Sequence, residues 1–164
     1  MIDIVEVPED MLVNPKERTL IIDAENSILG RMASYVAKLL LAGYRVIIVN
    51  AEKAVISGER KRVIDGYKLL LRVKTHKNPY RHSMKRPRTP ERIVKEAVRG
   101  MLPKESWKGK QALTRLRVYV SVPDELKDKP KIKILNASHT KLRGEFITVG
   151  EVARELGWKG VGLS

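Results

Sequence analysis

Seven Lys or Arg side chains stand between Arg72 and Arg88, within 17 residues that contain no acid. They are Arg72, Lys74, Lys77, Arg81, Lys85, Arg86 and Arg88, interleaved with His76, Tyr80 and His82. Cations at this density neutralise phosphates and release counterions, so the chemistry they support is binding to a nucleic-acid backbone. His76 and His82 lie among cations, without the spacing or carboxylate partners of a metal site, and are assigned to phosphate or base contact. A solvated charged loop is the plain alternative. Against it, the segment lies between two predicted helices, and loops this long inside compact domains are usually functional or disordered.

The charge extends beyond this stretch. Lys53 to Arg117 carries 20 Lys or Arg against 5 acids, whereas the two flanks together are at −1 in a chain of net charge +14. A field gathered on one block implies a polyanionic partner. Membrane attachment would need apolar anchors opposite the cations on an amphipathic helix, and the arm has almost none. The N-terminus lacks the basic start of a secretory signal and no apolar run reaches a membrane span, so a soluble intracellular protein is expected. Without cysteine, disulfides, thiolate metal sites and a Cys nucleophile are excluded.

Catalytic signatures are sparse. There is no GxGxxG after the first strand, no GxxxxGK[ST] and no GxSxG. Asp23 and Glu25 fall where open α/β sheets bind ligands, which keeps a carboxylate enzyme acting on nucleic acid as a rival reading. Capping a following helix, or pairing with an Arg such as Arg31, is the structural alternative for these acids. Ser57-Gly58-Glu59 has no His near it in sequence and reads better as a turn whose amides meet phosphate. No cofactor, metal or small-molecule substrate is expected.

The elements that must hold these residues are readable from their periods. "TLIIDA" and "RVIIVNA" are short continuous apolar runs of the kind buried in a parallel sheet. Between them Leu29, Met32, Val36, Leu39 and Leu40 follow helical spacing, with Asn26 or Ser27 as expected cap and Gly43 at the end, completing a βαβ unit. A second helix has Val63, Ile64, Tyr67, Leu70 and Leu71 on one face and Arg60, Lys61, Lys68 and Arg72 off it. Thr89-Pro90-Glu91 starts a third, with Ile93, Val94, Ala97, Val98 and Met101 inward and Arg92, Lys95 and Arg99 as a basic stripe. That stripe leaves a DNA-binding regulator as a further rival. Cations from several elements with few aromatic platforms suit a folded RNA better.

Ser106 is expected to cap another helix, Leu116 to Val122 to form a strand, Ile132 to Leu135 a short further strand, and Thr148 to Trp158 a final helix. The expected fold is α/β, with three α/β/α layers around a small mainly parallel sheet of about four strands, plus a basic extended arm. Residues 1–18 form an N-terminal extension, 19–135 one RNA-binding domain with the arm at 72–88, and 136–164 a C-terminal extension packed on it.

Three stretches, "DAENSILGRMASYVAKLLLAG", "VIIVNAEKAVISGER" and "RGMLPKESWKGKQALTRLRVYVSVP", are similar to the signature stretches of the ribosomal protein L-thirteen family of the large subunit. The long arm and C-terminal extension resemble its archaeal and eukaryotic branch. The resemblance implies a non-enzymatic α/β domain of the cytoplasmic ribosome, with large-subunit ribosomal RNA and neighbouring ribosomal proteins as partners. It places Arg31, Lys53, Ser57, Gly58 and the cluster Arg60, Lys61, Arg62 at or near the RNA. Arg99, Gly100, Lys104, Lys108 and Lys110 follow by the same correspondence. Ser121 departs from the family pattern, which commonly has Gly there.

Overall fold

Two of the apolar runs lie side by side: β1 (Thr19–Asp23) pairs in parallel with β2 (Arg45–Val49), Ile21 opposite Ile47. In this computed structural model residues 18–74, 76–82 and 86–160 are described. Between the strands runs α1 (Leu29–Leu41), burying Met32, Ala33, Val36, Ala37, Leu39 and Leu40. Its N-cap is Ile28, without a side-chain cap, rather than Asn26 or Ser27. The Ser27 amide instead bonds the Ala24 carbonyl, and Asn26 has a left-handed φ of 58°. The turn after β1 therefore uses the two polar residues before the helix begins. At the other end Gly43 takes φ 97°, the left-handed geometry that closes a helix and that only glycine adopts without strain.

β4 (Leu116–Val118) pairs in parallel with the far side of β2, giving the order β1, β2, β4. Successive right-handed crossovers advancing in one direction put their helices on one face of a sheet. Accordingly Leu20, Ile22, Val46 and Ile48 pack with residues of α1, α4 (Pro90–Met101), α5 (Trp107–Thr114) and α6 (Val149–Glu155) in one core. On the opposite face Ile21 and Val49 meet Leu126, with Ile47 and Val122 alongside. Among the described residues the third layer is thus a single 3-10 turn, Asp124–Leu126.

Among the described residues the parallel sheet has three strands rather than about four. Ile132 supplies only one bridge beside β1, its amide donating to the Ile21 carbonyl at 2.8 Å and its carbonyl accepting from Asp23 N at 3.0 Å. The strand expected through Val122 stops at Val118, and Ser121 takes φ 61°. A left-handed backbone there explains why glycine suits the position.

An antiparallel pair absent from the expected fold joins β3 (Val55–Ser57) to β5 (Phe146–Thr148). It leads straight into α6, where Thr148 and Glu151 form a reciprocal capping box. Val149, Val152, Ala153 and Leu156 are buried in the main core, so this late segment is integral to its packing. α2 (Arg60–Arg72) fully buries only Ile64, and its C-terminal Leu69 and Val73 are 62% and 63% exposed. Within the arm, α3 (Pro79–His82) is one helical turn, Asn78 Oδ1 accepting from the Arg81 amide at 3.3 Å. The arm expected to be extended therefore contains a capped turn.

Candidate nucleic-acid interface

α4 is the scaffold of the most basic surface. Ile93, Val94 and Val98 are buried, and helical geometry throws Arg92, Lys95 and Arg99 to the exposed side. Thr89 is the N-cap, without a side-chain bond, and Pro90 occupies the first turn, where its missing N–H costs nothing. The exposed side forms one wall of a cleft of about 750 Å³ lined by Arg86, Pro87, Arg92, Lys95, Glu96, Arg99, Gly100 and Lys104. A second cleft continues from Lys95, Arg99 and Lys104 past Pro103 and Gly109 to Lys110. Residues dispersed from Arg86 to Lys110 thereby share one groove, with Glu96 the single acid on its walls among the described residues. Glu96 accepts from Arg99 Nη1 at 3.1 and 3.3 Å, an exposed i,i+3 pair that holds the guanidinium against the helix.

The groove keeps its shape through the turn between α4 and α5. Ser106 caps α5, accepting from Lys108 N at 3.3 Å. Gly109 is buried so tightly that a Cβ would overlap the Pro103 carbonyl group. We expect Gly109→Ala to destabilise the fold by about 1–3 kcal/mol through overpacking. A thermal melt with an unchanged midpoint would contradict this.

A second basic cluster lies on α2, where Arg60, Lys61 and Lys68 border a shallow concavity with Glu59, Asp65 and Glu145. Here acids interleave. Glu155, on α6, binds Lys68 Nζ at 2.9 Å and Arg60 Nη2 at 3.5 Å. The Lys68 hydrogen bond and charge, with Arg60 behind, hold the Glu155 carboxyl below its usual range. Two predicted RNA contacts are thus already half-neutralised. Arg62, Arg72 and Lys74 are exposed on and after the same helix, and His76, Lys77, Tyr80, Arg81 and Arg88 are exposed in the arm. His82 ends α3, and Lys85 lies outside the described residues.

The turn after β3 has a different role from the one expected. Gly58, at φ 129°, donates its amide to the Glu145 carbonyl at 2.8 Å, extending the ladder with β5. That donor is occupied and cannot serve a phosphate. Ser57, within the same ladder, is exposed.

At the C-terminal edge of the parallel sheet the acids form a latch. Asp23 accepts from Asn50 Nδ2 at 2.8 Å and from the Glu25 amide at 3.0 Å, and lies 3.4 Å from Lys133 Nζ. Asn50 reaches it from a left-handed φ of 56°, a geometry Asn tolerates. Glu25 pairs with Lys53 at 3.0 Å and Lys133 at 3.5 Å. The partners are therefore lysines, one of them 110 residues from Asp23, and not Arg31, which stays exposed on α1. Burial pushes the Asp23 carboxyl up, but the bonds from Asn50 and the Glu25 amide, with Lys133, outweigh it and leave the group below its ordinary value. The Lys53 hydrogen bond and charge lower Glu25, and Glu25 raises Lys53 in return. Two acids engaged in mutual ion pairs with lysines offer neither a poised base nor a nucleophile.

A carboxylate depressed in the folded state stabilises above its unfolded pKa, and that contribution is lost as pH falls through the folded value. For Asp23 the loss sets in below about pH 4 to 5. Asp23→Asn should flatten the fall of melting temperature with acid over this window. Parallel curves for the two proteins would rule out the latch as a source of acid sensitivity.

Among the described residues no group of three or more His, Asp or Glu could hold a metal ion, and no helix is long and apolar enough to cross a membrane. Reading the sequence passed over Glu96, Glu155 and Lys133. Only Glu96 was legible, through its i,i+3 spacing to Arg99.

Comparison with known proteins identifies the family. The chain is 53% identical over 150 residues to the large ribosomal subunit protein uL13 of Saccharolobus solfataricus, covering 92% of this chain and 100% of that one. It is 50% identical over 151 residues to the protein of the same name from Aeropyrum pernix, covering 92% and 97%. For that from Archaeoglobus fulgidus the values are 46% over 144 residues, 86% and 89%. Residues 17–125 match the family described as Ribosomal protein L13, spanning the parallel sheet and the whole α4–α5 groove, and the chain belongs to that family.

Proposed function

We propose that this protein binds and stabilises folded large-subunit ribosomal RNA through the α4–α5 groove and the basic arm. The family it belongs to is one of structural proteins of the large ribosomal subunit, in the cytoplasm, and not of enzymes. The observation that carries the finer reading is the groove itself, where Arg86, Arg92, Lys95, Arg99 and Lys104 converge around one acid, Glu96, among the described residues. Five cations facing a shared open cleft suit phosphates that approach from more than one RNA segment. The mechanism is thermodynamic. A rigid core presents the groove, and the arm adds phosphate contacts that must offset an ordering cost of roughly 1–2 kcal/mol for each backbone residue it fixes.

The direct test is crosslinking in cells followed by identification of the bound nucleic acid. Large-subunit rRNA joined to peptides from residues 86–110 is the expected result. Crosslinks to DNA, or to rRNA only through residues outside the groove and arm, would overturn the assignment.

A further inference from the structure

Trp107 stands in the first position of α5 with 72% of its surface exposed. A single exposed apolar residue is ordinary. Three observations make this one different.

First, its charged neighbours in sequence are cationic apart from the exposed Glu105. Lys104, Lys108 and Lys110 surround it in sequence, with Lys110 one helical turn on, and all three are exposed without an acidic partner among the described residues. Second, its backbone is held. The Ser106 cap fixes the start of the helix, and Gly109 packed on Pro103 fixes the helix against the preceding turn. Third, it lies beside the groove, since Pro103, Lys104, Gly109 and Lys110 line the cleft that continues from Arg99. The other strongly exposed apolar side chains, Leu69, Val73 and Leu135, are aliphatic and offer no flat π face. Tyr80, 99% exposed in the arm, is the comparable ring.

We infer that Trp107 is a stacking platform for an unpaired base of the RNA whose backbone enters the α4–α5 groove, a proposal that rests on the RNA-binding reading above. An exposed indole carried on a fixed backbone beside a line of cations has the geometry that single-stranded nucleic acid requires: charge along the backbone, a ring face for the base. The surrounding lysines favour this occupant over an apolar patch of a neighbouring protein, because burying Trp107 against protein would leave three ammonium groups to be desolvated.

The probe is a full-length large-subunit rRNA transcript, bound by the whole protein across a range of salt. Trp107→Ala should weaken binding about 5- to 150-fold, the loss of about 1–3 kcal/mol of stacking. The log-affinity against log-salt slope should not change, because no charge is removed. Trp107→Phe should recover most of the affinity and Trp107→Leu little of it, separating a π face from mere apolar area. Addition of the RNA should quench more indole emission in the wild type than in Trp107→Phe. If Trp107→Ala binds like wild type while Lys95→Ala/Arg99→Ala weakens binding and flattens the slope, the groove reading stands and the stacking inference is wrong. If neither change has an effect, both readings fall. Equal recovery by Phe and Leu would also reject the inference.

Discussion

Replacing Arg92, Lys95 and Arg99 together by alanine should lower affinity for large-subunit rRNA about 100-fold near 0.15 M salt, if each releases about one counterion. The slope of log affinity against log salt should flatten by roughly two to three, at about 0.7–0.9 for each phosphate left without its cation. Stability should change little. The three side chains are exposed, the apolar face of Ile93, Val94 and Val98 is untouched, and alanine is the best helix former. The one internal ion pair removed, Arg99 with Glu96, joins side chains 58% and 46% exposed, and such pairs contribute about 0–1 kcal/mol. Neutralising Arg60 and Lys68 should have a smaller effect on binding, because Glu155 already offsets half of their charge. Filter binding across a salt series checks both statements. An unchanged slope for the triple variant would remove the groove from the interface.

Ile93→Ala should produce the converse result. Ile93 is 2% exposed beneath the basic stripe, where α4 meets the core, and removing it leaves a cavity costing about 2–5 kcal/mol. At about 2–4 °C per kcal/mol for a chain of this size, the melting temperature should fall by roughly 5–20 °C. Well below that midpoint the variant should still bind rRNA with an affinity within about threefold of wild type and an unchanged salt slope, because every groove cation remains in place. Differential scanning calorimetry together with the same binding assay separates the two properties. A large loss of affinity in the fully folded variant would mean that the exact pose of α4, and not only its charge, sets recognition.

These two variants also mark what was legible from residues alone. The helix of residues 90–101 was readable because its apolar period and its cations are local features, 3.6 residues apart, and Pro90 punctuates its start. The parallel β1–α1–β2 unit was readable for the same reason. The fourth strand was misjudged because Ile132 to Leu135 has a strand-like composition, yet only Ile132 finds a partner. The β3–β5 pair was missed because each strand is three residues long, too short to show a period.

By itself the sequence determined that the chain is an α/β protein without catalytic signatures, that its positive charge lies between Lys53 and Arg117, and that this charge seeks a polyanion. Those conclusions depend on composition and local spacing, which folding does not alter. Only the tertiary structure decided how the cations are divided. It gathers Arg86, Arg92, Lys95, Arg99, Lys104 and Lys110 around one groove, ties Arg60 and Lys68 to Glu155, and locks Lys53 and Lys133 onto Asp23 and Glu25. The reason is physical. Whether a lysine is available to a phosphate depends on the acids within a few ångströms of it, and those acids come from the end of β1 with the turn after it and from α6, at sequence separations from 28 to 108 residues in the hydrogen bonds of Glu25 and Glu155.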